Sequence, residues 1–272
     1  MAELGVIDQA AGLRRLFGNR GACSVAFVQA RRDAAWAMRL ARTASTLASE
    51  GRRVVIVDEH AGPGSVTAIT GQTPRLDLFD VFVGDCTLAD IRIQAAPGIT
   101  VIPAARAARE FAHGEVDIAE RMAACLAEAG NDAGYVLVDG VCRQGDISPL
   151  AAAALHLAVV LGSGGRSVTD TYALLKRQHL FAGRNDFQVV LVDPAPNAED
   201  VRTALDNLRS TARKHLSVEL SHLATLSSSQ VDDLVQGLLS RLPGAKTGPG
   251  GRSNVVALRA LFGASGLFES VV

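Results

Sequence analysis

The chain has 272 residues, 48% of them hydrophobic, with 27 basic against 28 acidic side chains and a formal net charge of -1. That length and apolar content suit one large α/β domain, and the balanced charge gives no global reason to expect nucleic acid or an anionic membrane as a partner. Cys23, Cys86, Cys125 and Cys142 form no C-x-x-C pair and the six histidines no ligand-like spacing, which points to buried thiols in a reducing cytoplasm rather than a metal site or a disulfide framework.

The first residues, MAELGVIDQA, lack a basic stretch followed by an apolar one, so no signal peptide is expected. No uncharged apolar run reaches the ~18 residues that a membrane span needs. The N-terminal fifth is nevertheless locally basic: residues 1–53 hold nine arginines against four acids. Within residues 1–21, Asp8 is placed to cap a helix, Leu13, Leu16 and Phe17 supply an apolar side, and Gly18 could end it. Strand-length apolar runs then follow at 24–29, 53–58, 99–102, 134–139, 156–161, 187–192 and 217–223. Segments of helix length and composition lie at 33–50, 115–129, 167–181 and 197–215, and 229–241 closes the series. Runs such as Val54-Val55-Ile56-Val57 and Ala158-Val159-Val160-Leu161 are apolar on both faces, as covered parallel strands must be. Alternating β and α units with right-handed crossovers predict a doubly wound, mostly parallel sheet.

After that, residues 243–253 begin PGAKTGPGG, a composition that holds neither helix nor core and reads as a flexible linker. It leads to a tail, 254–272, in which Val255, Leu258 and Phe262 share one helical face. The two ends echo each other, LRRLFG at 13–18 and LRALFG at 258–263, a match short enough to arise by chance. The expected organisation is therefore a terminal segment 1–21, an α/β domain 22–242, a linker 243–253 and a tail 254–272.

The first strand, the helix after it and the second strand form the frame in which many proteins hold a phosphate. A P-loop uses glycines so that backbone N–H groups can converge on phosphate oxygens, a lysine for the outer phosphates, and a Ser/Thr hydroxyl for magnesium. Here no glycine lies between Gly21 and Gly51, and the first lysine in the chain is Lys176. Arg31 and Arg32 bring positive charge to the turn, but a bulky planar fork does not replace a lysine in a closed cradle. Asp58 and Asp139 close two of the strands. Each alone reads as a cap for the turn that follows; as a pair they sit where an ATPase orients water or magnesium.

Several motifs in order resemble the FlhG family, the flagellar-number regulators of the MinD/ParA group of deviant P-loop ATPases. They are Asp8-Gln9-Ala10-Ala11-Gly12-Leu13-Arg14, Gly51-Arg52-Arg53-Val54-Val55-Ile56-Val57-Asp58, Thr73-Pro74-Arg75-Leu76-Asp77-Leu78, Gly84-Asp85-Cys86-Thr87-Leu88-Ala89-Asp90, Pro97 to Ala104 and Ser167 to Lys176. The resemblance implies a MinD/ParA-type P-loop fold, ATP and magnesium as family ligands, and an FlhF-type signal-recognition GTPase as partner. Flagellar basal-body or transcription-regulator proteins are further expected partners. The departures fall on the nucleotide turn. The family's lysines land on Arg31 and Trp36, its magnesium hydroxyl on Ala37, and the second aspartate of its VDAD on His60. Its proline-containing turn is Ser163-Gly164-Gly165-Arg166-Ser167, and the base-reading asparagine lies near Asp193-Pro194. Losing charge-assisted bonds at about 1.5–3 kcal/mol each weakens any grip on a phosphate, and Trp36 offers an indole to fill the volume vacated.

Three functions follow as expectations. The first is a pseudo-ATPase without cofactor or catalytic residues. It would bind an FlhF-type GTPase through Asp8, Gln9, Leu13, Arg14, Leu16 and Phe17, with Gln9 helping to order the catalytic water, and keep Arg31, Arg32, Trp36, Asp58 and Asp139 as a vestigial site. An ordinary surface helix packed on its own domain is the plain alternative for residues 7–17. The second is a weak ATPase using Arg31 or Arg32 with Asp58 and Asp139 on magnesium. The third is ParA-like positioning on nucleic acid, although the charge balance predicts no direct DNA binding. With Arg252 and Arg259 as its region's only cations and Glu269 offsetting one, the tail is expected to bind membrane weakly or not at all. The expected location is the cytoplasm, with the pole or inner membrane reached through partners.

Overall fold

The structure is a computed structural model that describes residues 22–33, 35–111, 116–143, 145–162, 165–192, 198–227 and 231–244. From the N-terminal side, β1 (Cys23–Val28) leads through the candidate loop to α1 (Trp36–Ser49) and β2 (Val54–Asp58). Two short helices, α2 (Val66–Ile69) and α3 (Leu78–Val83), precede the pair β3 (Ile93–Ala96) and β4 (Ile99–Pro103). Next come α4 (Ala105–Glu110), α5 (Val116–Ala129) and β5 (Tyr135–Gly140), then a two-residue-strand ladder of β6 (Cys142–Arg143) with β7 (Asp146–Ile147). The rest is α6 (Pro149–Ala153), β8 (His156–Gly162), α7 (Gly165–Ala182), β9 (Asp186–Val192), α8 (Ala198–Leu216), β10 (Glu219–Leu226) and α9 (Asp232–Arg241).

Eight strands make one sheet in the order β10-β9-β8-β1-β5-β2-β4-β3, parallel except for β3 against β4. This is the doubly wound, mostly parallel α/β sheet expected from the apolar runs. All seven of those runs are strands of it; the inner ones are buried on both faces and leave no side for water, whereas β10 at the sheet's edge alternates buried with exposed residues. Alternation then divides the core. Val25, Phe27, Ile56 and Leu137 point to the side covered by α1 and α9, whereas Ala26, Val28, Val57 and Val138 point to the side of α5, α6, α7 and α8.

The helix predicted from residue 33 begins at Trp36, since Asp33 bends the approach by accepting from the Ala35 N–H. The predicted strand 217–223 runs from Glu219 to Leu226, set off from α8 by Ser217 in the left-handed region at φ 55°. β3, the β6–β7 ladder and the helices α2, α3, α4 and α6 were not predicted.

The two ends of the described body meet at the N-terminal edge of the central strands. Cys23 N–H donates to Gly134 O at 3.0 Å, and Gly244 N–H donates to the Tyr135 hydroxyl at 3.0 Å. Arg52 binds Gly244 O at 3.2 Å. A Cβ on Gly244 would lie 2.2 Å from Gly134 O, so only glycine fits there. Pro243 and Gly244, the first residues of the predicted linker, thus belong to the described body; the rest of 243–253, the whole of 1–21 and the tail 254–272 lie outside the described residues.

Candidate functional site

Parallel strands bring their C-terminal ends to one edge, where a doubly wound fold presents ligands. Here β1, β5 and β2 lie side by side, and Asp58 faces Asp139 in register at the ends of β2 and β5. The loop after β1 arches over the same edge towards α1.

Asp58 is fully buried and fully engaged. Its Oδ2 accepts from Thr67 N–H at 2.6 Å and Thr67 Oγ1 at 2.7 Å, and its Oδ1 from His60 N–H at 3.1 Å. Burial raises its pKa against those bonds. The capping alternative for Asp58 is therefore realised: it fixes the turn into α2.

Asp139 is in a different state. Only 1% exposed, it has a buried Oδ2 without a full hydrogen bond, and the equally buried indole Nε1–H of Trp36 faces it without closing one. Arg32 stands 3.9 Å from Oδ2, and His60 Nε2 lies 3.6 Å from Oδ1. Burial, then the neighbouring Asp58, pushes the Asp139 carboxyl up to about 7. Burial, then Arg32, pushes His60 down to about 4. At neutral pH the imidazole is neutral, so its contact with Asp139 is not an ion pair.

Sequence reasoning missed a third acid. Glu59 is 3% exposed and accepts from Val141 N–H at 2.8 Å and Ser148 Oγ at 2.6 Å, tying the end of β2 to the start of α6. Burial raises its carboxyl to about 7. Its signal was an acid directly after a doubly apolar strand, beside the more conspicuous Asp58.

The loop itself is closed on its own side chains. Asp33 N–H donates to Gln29 Oε1 at 2.5 Å, Ala35 N–H to Asp33 Oδ1 at 2.9 Å, and Trp36 N–H to Asp33 O at 3.1 Å. Those three donors are spent inside the chain, whereas a phosphate cradle holds such groups open. The other Asp33 oxygen pairs with Arg39, a helix arginine only 8% exposed. Arg32 reaches across to the Gly64 carbonyl, and Arg31 is exposed.

Trp36 has no exposed surface and packs on Phe27 with ring centroids 5.4 Å apart and planes at 51°. Beside it Ala37 is buried and carries no hydroxyl for a metal. The donor set at this edge does not fit magnesium with a triphosphate: one aspartate is saturated, the other faces an arginine, and the loop N–H groups named above are taken. A groove of about 510 Å³ opens beside the loop, from Ala30 to Lys176 and Leu180 of α7, but neither Asp58 nor Asp139 lines it.

Among the described residues no helix is long and apolar enough to cross a membrane. The predicted partner-binding residues Asp8, Gln9, Leu13, Arg14, Leu16 and Phe17 lie outside the described residues, as do Ser163, Gly164 and Asp193-Pro194.

Comparison with known proteins agrees with this architecture. MinD of Aquifex aeolicus superposes with a TM-score of 0.57 at 16% identity, covering 92% of this chain and 99% of MinD. The MinD protein of Pyrococcus horikoshii, solved with Mg-ADP, gives 0.53 at 13%, covering 91% and 99%. The chain thus has the fold of the MinD/ParA group of P-loop ATPases. Its sequence is also similar to the antiactivator FleN of Pseudomonas aeruginosa, with 27% identity over 184 residues. That match spans 67% of this chain and 65% of FleN, just under two thirds of the relative's length. No family model matches the chain.

Proposed function

We propose that the chain is an FlhG-type regulator of flagellar number and placement whose nucleotide fold serves as a scaffold instead of an ATP-driven switch. The observation that carries this reading is the loop after β1. The N–H groups of Asp33, Ala35 and Trp36 are satisfied internally, and the indole of Trp36 fills the space behind them. Binding ATP there means breaking these bonds, uncovering a buried ring and bringing phosphates up to Asp33 without a lysine to offset their charge. Fluorescent-nucleotide titration with and without magnesium tests this: no saturable binding is expected, and micromolar magnesium-dependent affinity would refute it.

In this reading Arg31, Arg32, Trp36, Asp58 and Asp139 are remnants of a nucleotide site, of which all but the exposed Arg31 now help keep the edge folded. The output is a protein contact. Residues 7–17 dock on an FlhF-type GTPase, with Leu13, Leu16 and Phe17 as apolar anchors, Asp8, Arg14 and Arg15 beside them, and Gln9 directed at the catalytic water. Basal-body and transcription-regulator proteins are candidate partners of the globular face, and a cytoplasmic location with recruitment to the pole through partners fits this role. A peptide of residues 1–20 added to the cognate GTPase should accelerate GTP hydrolysis. No acceleration, or acceleration unchanged by Gln9→Ala, would count against the docking role.

A second reading, a weak ATPase, draws on the Asp58–Asp139 register and on the Mg-ADP carried by the Pyrococcus relative. ATP turnover abolished by Asp58→Ala would favour it.

A further inference from the structure

We propose that Asp33 is a built-in substitute for a phosphate: the chain carries, in its own loop, the anion that the frame would otherwise take from solution. This rests on the nucleotide-free reading above and explains how such a loop stays closed. A helix N-terminus presents unsatisfied N–H groups and partial positive charge, and attracts an anion. At the start of α1 Asp33 takes that place: its carboxylate Oδ1 accepts from the N–H of Ala35, the residue just before the helix, at 2.9 Å, and its main-chain carbonyl accepts from the Trp36 N–H at 3.1 Å.

Its second oxygen meets Arg39, one turn into the helix on the buried face with Trp36, Leu40 and Thr43. A guanidinium in that position, only 8% exposed, requires an anion; Asp33 meets its Nη1, while the buried Nε has no hydrogen-bond partner. Gln29 closes the loop from the strand side by accepting the Asp33 N–H, and Arg32 anchors it to the Gly64 carbonyl. The Ala35 N–H and the buried cation therefore converge on one carboxylate, and Gln29 and Trp36 hold the main chain of the same residue. Because that anion is covalently part of the chain, it cannot dissociate, and the loop keeps one conformation whatever the nucleotide level.

The test is anion rescue of the full chain, followed by thermal unfolding in potassium phosphate against potassium chloride at matched ionic strength. Wild type should differ between the two salts only by the small general stabilisation that excluded phosphate gives any folded chain, and recovery in the variants is read beyond it. Asp33→Ala opens a hole between the helix end and Arg39, and should melt about 4–8 °C lower in chloride and recover about half of that in phosphate. Asp33→Asn keeps the side-chain shape and loses the charge, so it should fall by less and respond to phosphate more weakly; it carries the test if the alanine variant does not fold. Variants as stable as wild type and indifferent to phosphate would overturn the substitute-anion role while leaving the nucleotide-free reading intact. A wild type stabilised by phosphate as much as its variants would also overturn the role. Tight ATP binding by wild type would overturn both.

Discussion

Replacing Trp36 by alanine tests whether the old lysine position has become core. The indole is fully buried against Phe27. An indole buries about 200 Å², which at about 25 cal/mol/Å² corresponds to at most ~5 kcal/mol, and Trp→Ala changes in cores cost about 3–5 kcal/mol. Part of that is returned here. The Trp36 N–H is buried without a full hydrogen bond, and removing such a donor relieves about 1–3 kcal/mol. The net expectation is a loss of about 2–4 kcal/mol, or about 5–15 °C in melting temperature for a body of this size. Trp36→Phe separates the two contributions: it keeps a ring on Phe27, drops the orphan donor, and should lose no more than about 1 kcal/mol. Urea unfolding followed by far-ultraviolet circular dichroism is the suitable assay, because both variants lack the chain's single tryptophan. If Trp36→Ala costs less than about 1 kcal/mol, or if the phenylalanine variant is equally damaged, the indole is not acting as core and the argument from filled volume fails.

Three further outcomes are expected. Glu59 and Asp139 have folded pKa values near 7 against ordinary values of 4.5 and 3.8, so folding takes up protons and the stability they contribute is lost as pH rises through 7. His60, lowered to about 4, works the other way only below about 6.5; between pH 6.5 and 8 the acids dominate, stability should fall by about 1–2 kcal/mol, and Glu59→Gln should roughly halve that slope. A pH-independent urea midpoint over this window would contradict the burial of both acids. Gly237→Ala places a Cβ 2.3 Å from Leu223 O, where α9 lies on β10, so despite better helix propensity it should destabilise by about 1–3 kcal/mol in the same assay. The emission of Trp36 should be blue-shifted, resistant to iodide quenching and unchanged by Mg-ATP; a nucleotide-dependent shift would place ligand beside it.

The doubly wound sheet could be read from the sequence because its signal is local. Val54–Val57 and Val136–Val138 are apolar on both faces, and only a covered strand tolerates that. β3, with the pattern buried-exposed-exposed-intermediate, is an edge strand held by its partner β4, so its own residues carried little signal. The short helices α2, α3 and α6 depend on caps from Ser65, Asp77 and Ser148, each a single turn-forming residue among many in the sequence. At the site, the missing glycines and lysine, the aspartates at two strand ends and Trp36 were all legible. Asp33 was not, because its role is defined by Arg39 and Gln29 rather than by its neighbours. Its one signal was an arginine at a helical position whose i+1, i+4 and i+8 companions, Leu40, Thr43 and Leu47, are buried. Glu59 likewise becomes meaningful only when Val141 and Ser148 arrive from strands and turns more than eighty residues away.

The meeting of Cys23 and Gly244 at Gly134 has a mechanical corollary. A load applied between residues 22 and 244 would enter the base of β1 directly and, on the other side, the C-terminal end of α9, whose hold on the base of β5 is the contact of Gly244 with Gly134 and Tyr135. The aspartate edge, a strand's length of roughly 20 Å away, lies off the line of force. A short bridge joining residue 244 back to residue 22, with new termini opened at an exposed turn such as 70–76, should therefore leave the sheet's architecture undisturbed.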